Sequence, residues 1–513
     1  MKKRSIVLLL LTIVFNICSA QISNSIVKDL DLYFQASLNE WKVPGMAIAI
    51  VRNDSILLLK GYGVKNVETK EKVDENTLFA IASNSKTFTA SALAKLVQEN
   101  KLSWNDPVTK YLPYFELYNP YVSSEMKIRD LLCHRSGLAT FSGDLLWYGS
   151  NYSREDIVRR AKYLKPTYGF REKFGYSNIM FLAAGLVIEK VTGMTWDNYI
   201  KKEFLTPLNM TNTITSTKDI SKNSNIASPH TEYNDKIIPI ELLNWDNIAP
   251  AGSIISSASD MSNWLRMQLN KGKFNDKQIL LPETQMQMWQ AQTTQDISKN
   301  SANLFPSTHF KAYGLGWSMF DYHGRKIIGH NGGYDGMISQ SIIIPEENLG
   351  FVILTNMNST LYYPLMYKVL DAFLCPTCKE NKDWSKYFLS TINKQKEADK
   401  KEIENAHKNK IVNTKPSLNL EAYTGRYTSK LYGDAEVKIE NNQLSIQFIP
   451  APMFKASTKH SHYDTFEIEF TQFPSLPKGS ATFILNKDAK VEQMKIDVPN
   501  PDFDFGELEF FKQ

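Results

Sequence analysis

The chain has 513 residues, with 42% hydrophobic and 22% charged side chains, which is ordinary globular composition and excludes wholesale disorder. Lys plus Arg number 59 and Asp plus Glu 54; a net charge of +5 is too small for a nucleic-acid footprint, so no nucleic-acid partner is expected. Four cysteines exclude a disulfide-rich scaffold, and the length suggests two to four domains at roughly 100–200 residues each.

Lys2, Lys3 and Arg4 precede an apolar run from Ile6 to Ile17, followed by Cys18-Ser19-Ala20. A basic start, a short apolar stretch and small residues before Gln21 read as a secretory signal peptide over residues 1–20. The expected location is therefore the periplasm or the exterior, with a net charge of +2 after cleavage and no membrane span in the mature chain. A lipoprotein anchored through Cys18 is the weaker reading, because Ile17 is large where a small residue is expected.

Residues 21–378 read as one mixed α/β unit. Gly45 to Val51 and Ser55 to Lys60 are apolar runs around Arg52-Asn53-Asp54, a hairpin pattern. Thr87 to Asn100, Ile179 to Val191, Asp260 to Leu269 and Leu365 to Leu374 read as helices. Ile342 to Pro345 and Gly350 to Leu354 read as buried strands. Strands at both ends with helices between predict an antiparallel sheet flanked by helices, with a helical subdomain. Cys375 and Cys378 form a CxxC pair, read as a local disulfide or two free thiols, and Cys133 reads as a buried thiol.

Residues 379–415 are rich in Lys, Glu, Asn and Asp, and predict a solvated helical linker anchored only by Trp384, Tyr387, Phe388 and Ile392. From 416 to 513 the period becomes two. Ala435 to Glu440, Gln443 to Phe448, Thr465 to Phe470, Ala481 to Leu485, Val491 to Val498 and Glu507 to Phe511 predict a separate antiparallel β domain, a small barrel or meander.

The chemistry concentrates in three segments. Ser83 and Lys86 form an S-x-x-K pair at a helix start, and residues three apart share a helix face. A neutral Lys amine beside a Ser can take the proton that an isolated Ser keeps at neutral pH. Alone the pair is weak, since Ser25–Lys28, Ser124–Lys127 and Ser475–Lys478 fit it too. Tyr176-Ser177-Asn178 precedes a helix; Tyr176 would relay protons if a nearby ammonium acidified its phenol, and Asn178 would hold Lys86 or a substrate carbonyl. His330-Asn331-Gly332-Gly333 leads to a strand edge, where the glycines admit a close backbone and leave N–H groups for an oxyanion. Tyr334, next in line, is expected to rim the pocket. His134 and Arg135 read as braces of their loop, and His230 as a surface or rim residue. Trp147, Tyr148, Trp245, Tyr313 and Trp317 read as core or cleft aromatics.

The ordered set SNSK, YSN and HNG resembles the serine β-lactamase and penicillin-binding-protein superfamily, closest to its class C and carboxypeptidase-like serine hydrolases. VPGMAIAIV, LLCHRSGL, AGSIISSASDMSNWL, YGLGW and IIPEENLGFVILTN support it over roughly residues 30–375. The C-terminal domain more loosely resembles the lipocalin-like β domains appended to some of these hydrolases. The resemblance implies an acyl-enzyme on Ser83, with Lys86 as base or proton partner, Tyr176 sharing the proton transfers and Asn178 orienting Lys86 and substrate. It also implies an oxyanion hole from the Ser83 and Gly333 N–H groups, with Asn331, Gly332 and Tyr334 at the substrate and His330 polarising Tyr176 or binding substrate. Two departures stand out: Cys133 replaces the usual Thr of its loop, and His330 stands where β-lactamases carry a lysine. A neutral imidazole there argues against substrates held by a carboxylate, and favours amides, esters or peptides. No metal or cofactor is implied.

Acyl transfer from Ser83 to an alcohol or amine, and non-catalytic binding of cell-wall fragments, are the competing functions. The β domain would either cover the mouth of the Ser83 cleft or mediate homo-oligomer assembly.

Overall fold

A computed structural model describes residues 25–222, 224–376, 382–408, 411, 413–473, 476–500 and 502–513. Residues 1–20, expected to be a signal peptide and containing Cys18, and Cys378 lie outside the described residues. Asn53 and Asp54 take left-handed φ values of 51° and 61°, so the chain reverses in two residues between the strands Gly45–Arg52 and Ser55–Gly63. That hairpin forms one side of an eight-stranded antiparallel sheet. Next to Gly45–Arg52 come Leu349–Thr355, Met337–Ile344, Arg325–Tyr334, Ser318–Tyr322, Lys311–Tyr313 and Thr293–Gln295. Strands from the two ends of this α/β unit are therefore paired near one edge of the sheet, as its second and third strands, with Met46 opposite Thr355.

Alternation along Gly45–Arg52 explains its unbroken apolar run. Ala47, Ala49 and Val51 face one core and Met46, Ile48 and Ile50 the other, so both faces are buried. The second face is covered by the helix at residues 25–40, through Leu30, Phe34 and Leu38, and by Tyr362–Leu374, through Leu365, Val369 and Leu370. The first face carries Ala258–Leu269 and a helical subdomain built around Ser85–Gln98 and Asn178–Thr192. Among the described residues no single helix is long and apolar enough to cross a membrane. Cys133 is a buried free thiol, and Cys375 is disulfide-bonded.

The connector departs from expectation in its first turns. Trp384–Lys408 is a helix, but Trp384 is buried, donates its indole N–H to Asp371 at 2.6 Å and stacks on Phe305. Trp41 donates to Ser385 Oγ at 2.9 Å. Trp384, Phe388 and Ile392 dock the helix start, Tyr387 is exposed, and the acidic and basic residues from Lys394 to Glu402 are exposed.

Residues 425–512 form a closed barrel of eight antiparallel strands in meander order, with Glu509–Lys512 closing onto Gly425–Ser429. Lys455–His462 is a strand that reads as polar, because its inward positions are Ala456 and Thr458 rather than large apolar residues. The barrel sits against the α/β unit. Tyr148 packs between Phe454, Phe473 and Phe503, Asn151 N–H donates to the Pro450 carbonyl at 2.7 Å, and Arg160 donates to the Lys430 and Leu431 carbonyls.

Candidate active site

The S-x-x-K segment is pinned on every side. Ala82 holds a left-handed φ of 48° in a short 3-10 turn, Ala82–Asn84, which leads into the helix Ser85–Gln98. Such a φ on a residue with a Cβ is strained and persists only when its surroundings enforce it. Asn84 supplies part of that enforcement: its Nδ2 donates to Ser339 Oγ at 2.8 Å, and Ser341 donates to its Oδ1 at 2.5 Å. Ser85 Oγ accepts from Ile254 N–H at 3.1 Å. Ser83 is left facing a cavity.

Lys86 is fully buried, and its Nζ has three oxygen partners: Ser83 Oγ at 3.0 Å, Asn178 Oδ1 at 2.6 Å and the Ala251 carbonyl at 2.9 Å. Its nearest rings are Tyr176 and Phe181. Among the described residues no carboxylate bonds it directly. Loss of hydration therefore drives its pKa down to about 7, opposed by the more distant Asp144 charge. The Tyr176 hydroxyl donates to Ser83 Oγ at 2.8 Å. Burial raises the Tyr176 phenol rather than acidifying it, which reverses the expectation that a neighbouring ammonium would lower it. Desolvation is the largest cause, the Asp144 charge adds to it, and the hydrogen bond with Ser83 offsets it only in part.

Asp144, which no motif marks in the sequence, extends the chain of bonds. Asn178 Nδ2 donates to Asp144 Oδ2 at 2.6 Å, which fixes the amide so that its oxygen faces Lys86. Burial raises Asp144 to about 7. Its loop is held from the barrel: Glu507 accepts from Ser142 Oγ at 2.5 Å and from Gly143 N–H at 2.9 Å.

The cavity has a volume of about 800 Å³. Ser83, Tyr176, Asn178, Asn331, Gly333 and Tyr334 all line it, as do Trp147, Tyr148 and Trp245. Leu476, Pro477, Asn500 and Phe503 of the barrel close one side. Four expectations need correction. Gly332 is not a lining residue: a Cβ there would stand 2.3 Å from the Ile81 carbonyl oxygen and 2.7 Å from Ser83 N, so the glycine serves the close approach of strand to nucleophile turn. Tyr334 is a buried wall rather than a rim, stacked on Trp245 at 3.8 Å with its hydroxyl donating to the Leu243 carbonyl.

His330 does not line the cavity and does not bond Tyr176. Its Nδ1 faces the Asn331 carbonyl and its Nε2 meets the Tyr313 hydroxyl at 2.7 Å, so the neutral ring donates from Nδ1 and accepts at Nε2. Burial, then the Lys86 charge, hold it down to about 3. His230 is likewise buried, between Val67 N–H and the Asn356 carbonyl. His134 accepts from Ser177 N–H at 3.0 Å and stacks on Tyr176, bracing that loop.

Gly332→Ala is expected to slow acylation of Ser83 about a hundredfold, because the added methyl meets backbone and displaces the nucleophile turn. A Gly332→Ala protein that labels at the wild-type rate would show the close approach to be dispensable.

The Beta-lactamase family model matches residues 30–366, the span that carries Ser83, Lys86, Asp144, Tyr176, Asn178 and His330. The chain belongs to the Beta-lactamase family. Members of the Beta-lactamase family are serine hydrolases with this antiparallel sheet and helical subdomain. Residues 409–512 match a second model, a domain of unknown function (DUF3471), and correspond to the barrel. An unguisins hydrolase, ungD', of Aspergillus campestris is 30% identical over 418 residues, 77% of this chain and 74% of its own length. Protein flp of Staphylococcus aureus is 29% identical over 353 residues, 68% and 67% of the two chains. Among solved structures, the octameric penicillin-binding protein homologue from Pyrococcus abyssi superposes with a TM-score of 0.61 at 22% identity, over 95% of this chain and all of that one. SurE superposes with a TM-score of 0.55 at 18% identity, over 96% of this chain and all of its own. Both likenesses are of fold.

Proposed function

We propose that the protein hydrolyses an amide or ester through an acyl-Ser83 intermediate, with Lys86 as the base. The observation that carries this reading is the bonding of Lys86. As a neutral amine it has two N–H groups and one lone pair. Asn178 Oδ1 and the Ala251 carbonyl accept the two N–H groups, which leaves the lone pair toward Ser83 Oγ. Tyr176, kept protonated by burial, donates to the same Oγ, so the single Ser83 proton points to Lys86.

In acylation Lys86 takes that proton, Oγ attacks the carbonyl carbon, and the N–H groups of Ser83 and Gly333 receive the developing oxyanion. The Lys86 ammonium then returns a proton, through the Tyr176 hydroxyl, to the leaving nitrogen or oxygen. Water attacks the acyl-enzyme by the reverse sequence. Tyr176 acts as a donor and relay and carries no standing negative charge.

A fluorophosphonate probe followed by peptide mapping tests the reading. The label is expected on Ser83 alone, together with turnover of an activated ester to its free acid. Absence of label, or a label on another serine, would remove the acyl-Ser83 assignment. An acyl group found only on an added amine, as amide, or alcohol, as ester, with no free acid, would make the protein an acyltransferase instead.

A further inference from the structure

The charges around the cavity are one-sided. Three aspartates line it, Asp144, Asp335 and Asp502, and among the described lining residues there is no Lys, Arg or His. Lys86 lies behind Ser83 and is committed to three partners. Asp144 is committed to Asn178. Asp335 and Asp502 have no such role.

Asp335 follows Gly333 by two residues at the end of the strand Arg325–Tyr334, so it stands near the expected oxyanion N–H. Its Oδ1 accepts from the Tyr148 hydroxyl at 2.8 Å. Among the described residues its Oδ2 has no hydrogen-bond partner, and the residue borders the cavity. Asp502 approaches from the barrel, and its charge acts on Asp335, which burial first and Asp502 among the other charges push up to about 6. Among the described residues no Lys or Arg forms an ion pair with either carboxyl. Two ionisable carboxyls brought together from two domains, one with an orphaned oxygen, are costly unless a cation or a cationic group meets them. The flanking Trp147, Tyr148, Trp245 and Phe503 supply aromatic faces, which also attract ammonium groups.

We propose that Asp335 and Asp502 form a subsite for a substrate ammonium group, placed beside the bond that Ser83 attacks. This rests on the hydrolase reading for what is cleaved, but not for what is bound. It deepens that reading by naming a substrate class: amides, esters or peptides bearing a free amine, either an α-amino group or a side-chain amine. The same field repels carboxylates, so β-lactams and peptides held by a terminal carboxylate fit the cavity poorly. A neutral His330, buried behind the wall, provides nothing to offset that repulsion.

Calorimetric titration of the full chain with benzylammonium, benzyl alcohol and benzoate reads the subsite without turnover. Benzylammonium is expected to bind at least about tenfold more tightly than benzyl alcohol, with benzoate weakest. The Asp335→Asn/Asp502→Asn double variant, which keeps the acceptor for Tyr148, is expected to lose that order. Equal binding of the three probes, or an order that survives in the double variant, would overturn the proposal. So would calcium or magnesium binding that excludes benzylammonium, since the pair would then be a metal site. Kinetics separate the two amine sources. An α-amino anilide and an Nα-acetyl-lysine anilide are each compared with their neutral analogues by the ratio of kcat/KM, and the preferred one is expected to fall about tenfold in the double variant. If Ser83 takes no label but benzylammonium binds as described, the hydrolase reading fails and the subsite stands.

Discussion

Lys86→Ala is expected to slow acylation of Ser83 by a fluorophosphonate about a thousandfold, and Lys86→Arg is expected to be no better. The arginine keeps the positive charge but never yields a lone pair in water, so it separates a base from a mere electrostatic partner. Ser83→Ala removes labelling altogether, and Tyr176→Phe keeps the pH dependence of the wild type because its phenol stays protonated in that range. The direction of the pH profile follows from the reactive form. Lys86 must be neutral to accept the Ser83 proton, and burial sets its pKa near 7. Below that value the neutral fraction falls about tenfold per pH unit, so the rate rises through pH 7 and then levels. The Asp144 carboxylate favours the ammonium form, so Asp144→Asn is expected to move the rising limb to lower pH. The two groups titrate as a pair across Asn178, and the apparent midpoint belongs to both. A flat profile between pH 5 and 9, or a Lys86→Arg protein that labels within about threefold of wild type, would assign the base elsewhere.

The parts of this machinery that a reader can take from the chain are those governed by local geometry. Three-residue spacing puts Lys86 at 3.0 Å from Ser83, the apolar run Gly45 to Val51 falls in the strand Gly45–Arg52, and the period-two pattern of Thr465 to Phe470 matches a strand with those bounds. Asn441 and Asn442 mark a hairpin because both take left-handed φ. What stays hidden depends on contacts across long separations. Tyr176 and Ser83 meet although they are 93 residues apart, and only the family resemblance joins them beforehand. Asp144 stands in a stretch with no periodicity, and its loop is held by Glu507, 364 residues downstream of Gly143. A lone acidic residue among 54 carries no mark of such a partnership. His330 was legible as a motif member but not in its orientation, because its partner Tyr313 belongs to a neighbouring part of the sheet. Lys455–His462 fails the apolar test for a strand, since small and hydroxyl side chains satisfy a barrel interior at those positions.

Glu507→Ala, a substitution in the barrel, is expected to slow Ser83 labelling about a hundredfold and to cost about 3 kcal/mol of stability. Glu507 accepts from Ser142 Oγ, from Gly143 N–H and from the Tyr432 hydroxyl, so one carboxylate ties the barrel wall to the loop that carries Asp144. Without it, two buried donors on that loop lose their acceptor, Asp144 shifts, and the Asn178 amide is free to turn its oxygen away from Lys86. The signature of this route is specific: the pH limb of labelling should move together with the rate, whereas a loss of stability alone would lower the amount of active protein without moving the limb. Excision of residues 416–513 is expected to go further and reduce labelling to background. It removes the wall formed by Leu476, Pro477, Asn500, Asp502 and Phe503 and uncovers Tyr148. The same truncation decides between cavity wall and assembly surface. A truncated chain that labels at the wild-type rate but with a smaller assembled mass would make the barrel an assembly module, and the Glu507 contact incidental to the chemistry.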